Sequence, residues 1–252
     1  MNTLTSSPGD PRPADPPSHN DPSITSGTVR VSLETHYLLQ EPASLHEPSV
    51  PAERRLLILA THGYGMNAQV MLGLVQLWYH GRHWVASAEG PHGYYLGQRP
   101  GVGGEGYNWG TRSRREASIA THHEIIHRVV EAAGRRSGIP RERTVLVGFS
   151  QSVGMNYQFM ARNPGAVGGA IGNCGSPARD WETNDEYRPV REPVLHISRS
   201  EDEYYTPEVL AALEGRLRTR LTNLEYHLLE GKHRFPSKAA PIAEAWEQKW
   251  FR

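Results

Sequence analysis

Cysteine occurs once in this chain of 252 residues, at Cys174. A single thiol excludes an intrachain disulfide and any zinc cluster built from cysteines. Long apolar runs are missing too: no stretch approaches the roughly 18 apolar residues that a membrane span requires. Net charge is absent, since 27 Lys+Arg are balanced by 27 Asp+Glu. A chain with no excess of either sign has no global electrostatic footprint for nucleic acid or an anionic membrane surface, so neither is expected as a partner. What the chain has in quantity is 13 His, 25 Gly and 19 Pro, and their positions carry the reading.

Residues 1–28 hold six of those prolines and five serines, and no aromatic residue. Such a stretch buries too little apolar surface to offset the entropy of ordering it, so a disordered Pro/Ser-rich tail is expected. It lacks the basic start and apolar segment of a secretory signal, which makes a cytoplasmic protein the expectation. Residues 29–252 then form one domain.

Within that domain strand-like and helix-like patterns alternate. Residues 29–37 alternate apolar and polar side chains, as an edge strand does. The apolar runs at 56–60 and 144–147 read as buried strands, and 83–88, 167–171, 194–198 and 224–229 as further short strands. Helical patterns cover 68–79, 113–136, 151–162, 207–221 and 237–251. The third of these opens beyond a strand, and the second opens on Ser113 and Glu116, the spacing of a capping box. Residues 89–112 form a long Gly-rich loop bearing Tyr94, Tyr95, Tyr107 and Trp109; loops of that length in a compact domain are commonly functional. The pattern predicts an α/β fold with a mostly parallel central sheet and helices on both faces. Ligands bind such sheets beyond the carboxyl ends of the strands.

The sharpest local feature is VLVGFSQS at 145–152. A buried strand there enters a Gly-x-Ser-x-small turn and then a helix, the setting of a nucleophile elbow. Gly148 permits the tight turn, Ser150 stands at its tip, and the N–H of Gln151 points toward a developing oxyanion. After the strand at 56–60 come His62, Gly63, Tyr64 and Gly65, a loop that can present the Tyr64 N–H as a second oxyanion donor. Asp202 follows the strand at 194–198, and His233 follows the strand at 224–229. The order Ser, Asp, His is that of the α/β-hydrolase triad. The roles expected are Ser150 as nucleophile, His233 as general base and then acid, and Asp202 as the group that orients the imidazole. Glu201 and Glu203 flank Asp202 and compete with it as solvated acids of the same turn. Tyr94, Tyr95 and Trp109 are candidates for an acyl or aryl pocket. Cys174 reads as a buried small hydrophobe.

Together, GFSQS, the HGYG loop, SEDEYYTPE and GKHRFP resemble the phospholipase/carboxylesterase branch of the α/β-hydrolases, which includes the acyl-protein thioesterases. The resemblance runs in order over about residues 55–251. It implies the α/β-hydrolase fold and hydrolysis of carboxylic esters or thioesters through an acyl-enzyme, with no metal or cofactor; the expected partner is a small-molecule ester substrate. Two stretches depart from the family pattern: Ser152 and Val153 stand where it often has two glycines, and Met66 where it often has aspartate.

A rival motif lies at 123–127, where His123, Glu124 and His127 spell H-E-x-x-H. On a helix that spacing can hold zinc, with the glutamate as base of a peptidase. The apolar stripe of this helix runs through Ile119, Ile126, Val129, Val130 and Ala133. It leaves the two histidines on its flank and Glu124 nearly opposite, on an outer helical surface. A third reading is a hydrolase-fold binding module whose pocket survives without catalysis.

Overall fold

The computed structural model describes residues 25–43, 50–97 and 101–252. The chain divides into two units, Met1–Leu33 and Glu34–Arg252. In the first, residues 25–33 are exposed and have no regular secondary structure. Residues 1–24, most of the expected tail, lie outside the described residues.

The second unit is built on a seven-stranded sheet. Its strands are β1 (Tyr37–Gln40), β2 (Leu57–Thr61), β3 (Trp84–Ala88), β6 (Thr144–Phe149), β7 (Gly169–Asn173), β8 (Val194–Arg199) and β9 (Leu224–Leu229). They lie in the order β1-β3-β2-β6-β7-β8-β9. Only β1 runs antiparallel, against β3; the remaining pairings are parallel. A separate antiparallel hairpin joins β4 (His92–Tyr95) to β5 (Glu105–Asn108).

Alternation along the central strands splits the core in two. On β2, Leu57 and Leu59 enter one apolar layer, and Ile58 and Ala60 the other. The first layer is closed by α2 (Arg115–Ser137), α3 (Gln151–Arg162) and α4 (Pro207–Arg218). The second is closed by α1 (Ala68–Tyr79) and α5 (Ala240–Trp250). A sheet buried on both faces explains why its middle strands read as unbroken apolar runs.

Local chemistry sets the ends of these helices. The Asn67 side chain accepts from Val70 N–H at 2.9 Å and starts α1, satisfying a donor with no intrahelical acceptor. Gly138, at φ 71°, ends α2, a left-handed position that glycine fills without strain. Thr206 caps α4, with Pro207 in its first turn. Trp78 of α1 is buried, and its indole N–H donates to the Pro236 carbonyl at 3.0 Å. That bond fastens a helix on one face to the loop following β9.

Several sequence expectations need correction. The edge strand is Tyr37–Gln40, not 29–37, because residues 25–36 pair with no strand. Alternation alone makes no strand without a neighbour to take its hydrogen bonds. The loop 89–112 contains the β4–β5 hairpin. Ser113 does not cap α2; a short 3-10 turn, Arg112–Arg114, leads into it, and no side chain caps it. No helix among the described residues is long and apolar enough to cross a membrane.

Candidate active site

All six residues of β6 are buried, and the strand runs straight into Ser150 at φ 55° and ψ −112°. A non-glycine residue at positive φ stores about 1–3 kcal/mol of strain, which the surrounding bonds must hold. Ser150 N–H donates to the Asn173 carbonyl at 2.8 Å, and Asn173 Nδ2 donates to Gly148 O at 3.1 Å. At Gly148 a Cβ would come within 2.8 Å of Asn156 Nδ2, so the turn requires glycine there. Gln151 opens α3. Its N–H therefore has no acceptor within the helix and lies at the positive end of the dipole.

Two loops beyond carboxyl ends of strands meet this serine. Asp202 follows β8, and its side chain is only 1% exposed. Its Oδ1 accepts from Tyr204 N–H at 2.9 Å. Its Oδ2 lies 2.7 Å from His233 Nδ1. A carboxylate only accepts, so Nδ1 carries the proton and Nε2 is left as acceptor. Nε2 lies 2.8 Å from Ser150 Oγ. Asp202, His233 and Ser150 thus form one continuous chain of hydrogen bonds. Glu203, read from sequence as a solvated turn acid, accepts from the backbone N–H of His233 at 2.8 Å. That bond holds its carboxyl below the usual range. Nothing in the sequence signalled this, since the bond joins positions thirty residues apart.

On the other side of Ser150 lies the loop after β2. His62 is fully buried. Its Nδ1 lies 2.7 Å from Gly63 O, and its Nε2 accepts from Gly90 N–H at 2.9 Å. Nδ1 is therefore the protonated nitrogen. Burial pulls the ring's pKa down to about 4, so it is neutral at ordinary pH. Gly63 O and Tyr64 N–H belong to one peptide; anchoring the carbonyl sets the direction of the N–H. Gly65 N–H donates to Tyr107 O at 2.9 Å, and Tyr107 N–H to Met66 O at 2.8 Å. The β4–β5 hairpin is thereby bonded to this loop, the role the sequence did not disclose.

A cavity of about 350 Å³ opens over Ser150, lined by Tyr64, Phe149, Gln151, Tyr204, Tyr205 and His233. Trp109, expected in its wall, is instead fully buried. Its indole N–H donates to His62 O at 2.8 Å, and its backbone N–H to Gln151 Oε1 at 3.1 Å. Tyr94 sits behind the wall, its ring 5.5 Å from that of Tyr64. Tyr95 is exposed on the hairpin and does not line the cavity. The aromatic wall comes instead from Tyr64, Phe149, Tyr204 and Tyr205; the last two directly follow the acidic turn, and their adjacency to Asp202 was the available signal.

The H-E-x-x-H residues do not converge. His123 lies buried, its ring edge-on to Phe159 at 5.4 Å; this corrects the expectation of an outer surface. Glu124 turns outward to Arg128 at 2.7 Å. His127 bonds Asn163 at 3.3 Å and packs against the same Phe159 ring at 4.8 Å, so the two histidines flank an aromatic ring and Glu124 stands apart from both. The buried stripe of α2 is wider than the aliphatic residues indicated, since it includes His122 and His123.

Among the described residues one group brings three metal-ligating atoms within 4.8 Å: Cys174, Asp202 and His233. These donors are already engaged. The Cys174 thiol points at Arg234 O at 3.4 Å, and burial pushes its pKa up to about 12, which keeps it protonated and poorly nucleophilic.

A search of curated sequences finds no match. Among solved structures, esterase PE8 superposes with a TM-score of 0.65 at 20% identity, over 86% of this chain and 100% of that one. The Bacillus cereus carboxylesterase gives 0.62 at 15%, over 86% and 95%. Arabidopsis thaliana SOBER1 gives 0.61 at 17%, over 79% and 100%. At such identities the likeness establishes the fold, that of the α/β-hydrolases. The Phospholipase/Carboxylesterase family model matches residues 42–246, and on that match the chain belongs to the phospholipase/carboxylesterase family of hydrolases.

Proposed function

We propose that this protein is a serine esterase that cleaves a small-molecule carboxylic ester or thioester through an acyl-enzyme on Ser150. The observation that carries the reading is the unbroken chain from Asp202 to His233 to Ser150, at 2.7 and 2.8 Å. His233 Nε2 takes the proton of Ser150 Oγ as that oxygen attacks the ester carbonyl. The carbonyl oxygen becomes an anion beside the N–H groups of Gln151 and Tyr64, which are fixed before the reaction begins. Collapse of the tetrahedral species breaks the bond to the alcohol or thiol. His233 passes it the proton, and acyl-Ser150 remains. A water then attacks the acyl carbon with His233 as base, releasing the acid and restoring Ser150. Asp202 stays ionised throughout and holds the imidazole. The side chains of Ser150, His233 and Asp202, the backbone N–H groups of Gln151 and Tyr64, and water supply every group in these steps.

Among the described residues the cavity lining holds no Asp, Glu, Lys or Arg side chain, which suits a neutral ester. Its volume of about 350 Å³ and its open form suit short to medium acyl groups. The test is a p-nitrophenyl ester series from acetate to laurate, on the native chain and on Ser150→Ala. Turnover highest among the short esters and abolished in the variant supports the reading. A sharp optimum at laurate contradicts the acyl-length part. Activity that survives Ser150→Ala contradicts the serine mechanism.

A further inference from the structure

Ser152 stands where the family pattern often has glycine, and its side chain is fully buried. A hydroxyl placed in a core costs free energy unless it is bonded, and this one makes three contacts. It donates to the Thr61 carbonyl at 2.8 Å. It accepts from Phe149 N–H at 3.2 Å, and Phe149 O also lies at 3.2 Å. A single proton cannot serve both carbonyls at full strength, and the shorter contact goes to Thr61.

The two main partners lie at the roots of the two arms that present the oxyanion donors. Phe149 immediately precedes Ser150 and Gln151. Thr61 ends β2 and begins the loop that carries Tyr64 N–H. The carbonyls of that loop are anchored in succession: Thr61 O by Ser152, His62 O by the Trp109 indole, and Gly63 O by the His62 ring. The first is the one anchor that comes from α3 itself, the helix whose first N–H is the other oxyanion donor. Asn156, one turn further along α3, adds a bond from Nδ2 to Thr61 Oγ1 at 2.9 Å. Strands β2 and β6 are paired here in register, Thr61 opposite Gly148, so the hydroxyl bridges across the end of the ladder where both chains leave the sheet.

We propose that Ser152 is a positioning residue of the oxyanion hole: its hydroxyl ties the Thr61 carbonyl to the Ser150 elbow and so fixes the separation of the Tyr64 and Gln151 N–H groups. It touches no reacting atom. A glycine at this position leaves that separation to the loops alone; the serine builds it into the sheet edge. The inference rests on the esterase reading above.

Oxyanion contacts form in the transition state and count for little in ground-state binding. Loss of the tie should therefore lower kcat and leave KM unchanged. The variants are Ser152→Ala, which removes the donor, and Ser152→Cys, which is somewhat larger and keeps a weaker donor. The substrate is p-nitrophenyl butyrate. The second probe is a phenyl trifluoromethyl ketone, which adds to a serine and places an anion in the same hole. We expect kcat to fall about 10- to 100-fold in Ser152→Ala and less in Ser152→Cys. KM should stay within about twofold, and ketone affinity should fall in parallel with kcat. A structural role alone lowers the melting temperature and leaves kcat and ketone affinity intact, which overturns the proposal. If Ser152→Ala does not fold, Ser152→Cys decides: native kcat and ketone affinity in it also overturn the proposal. The native chain is treated in parallel with a fluorophosphonate. Absence of both labelling and turnover there defeats the esterase reading itself, whereas a labelled, active native chain with fully active variants defeats only the tie.

Discussion

Two segments of this chain carry histidines in motifs that promise catalysis, and they have opposite fates. On α2, His123, Glu124 and His127 have the sequence spacing of a zinc peptidase. Both histidine rings pack against Phe159 and His127 also bonds Asn163, whereas Glu124 turns outward to Arg128. On the loop after β9, His233 has no regular spacing to its partners, which stand 31 and 83 residues away. Yet it bonds both of them within 2.8 Å. A helical motif fixes only the relation of residues to each other along one axis. Chemistry needs donors that converge on a point in space, and the carboxyl edge of a parallel sheet supplies that convergence from distant segments.

The comparison can be broken most forcefully by exchanging the two histidines' fates. Ester turnover by His233→Ala should fall by about 10³- to 10⁶-fold, because the nucleophile loses its base. His127→Ala should stay within about twofold of native, since that side chain is exposed on α2. A reversal of this order would restore the zinc reading. Next in size, Asp202→Asn should cost about 10³- to 10⁴-fold in kcat, because an amide at that position favours the wrong imidazole tautomer. Circular dichroism should show the fold retained.

A smaller effect concerns stability rather than rate. Burial lowers His62 and His123 from 6.5 to about 4, so both rings are neutral in the fold and become charged on unfolding at mildly acid pH. A lowered histidine pKa contributes stability that is complete above about pH 6.5 and is lost as pH falls toward about 4. The loss is about 1.4 kcal/mol per unit for each such ring. Urea midpoints measured between about pH 7 and about pH 5 should fall accordingly. In His123→Phe the slope should be shallower, while ester turnover at neutral pH is unchanged. A midpoint independent of pH would show that these rings are not held neutral. The smallest expected effect is that of a chelator: incubation with EDTA should leave ester turnover unchanged.

The same contrast explains what was legible in the sequence. Elements with strong local signals are legible: 68–79 matches α1 and 224–229 matches β9, because a helical apolar period and a bounded strand run are local chemistry. Ser150, Asp202 and His233 could be named because each follows a strand that reads as such. Features made of long-range bonds were not readable. Trp109 looked like a pocket wall because it is aromatic and lies on a Gly-rich loop, but its indole partner, His62 O, is 47 residues away. The bond from His233 N–H to the exposed Glu203 escaped for the same reason. The β4–β5 hairpin escaped because its four-residue strands contain Gly93 and Gly106 and carry little strand signal of their own. Its real support is the bonding of Tyr107 to Gly65 and Met66. The strand expected at 29–37 failed in the opposite way, with a good local pattern and no neighbour for most of its length.

The central claim is that the convergence at the sheet edge makes Ser150 a nucleophile. It is tested most directly by treating the native chain with a fluorophosphonate and mapping the adduct by peptide mass spectrometry. The account predicts one phosphonylated residue, Ser150, with labelling lost in Ser150→Ala and sharply slowed in His233→Ala. An unlabelled native chain, or an adduct at any other serine, would contradict it.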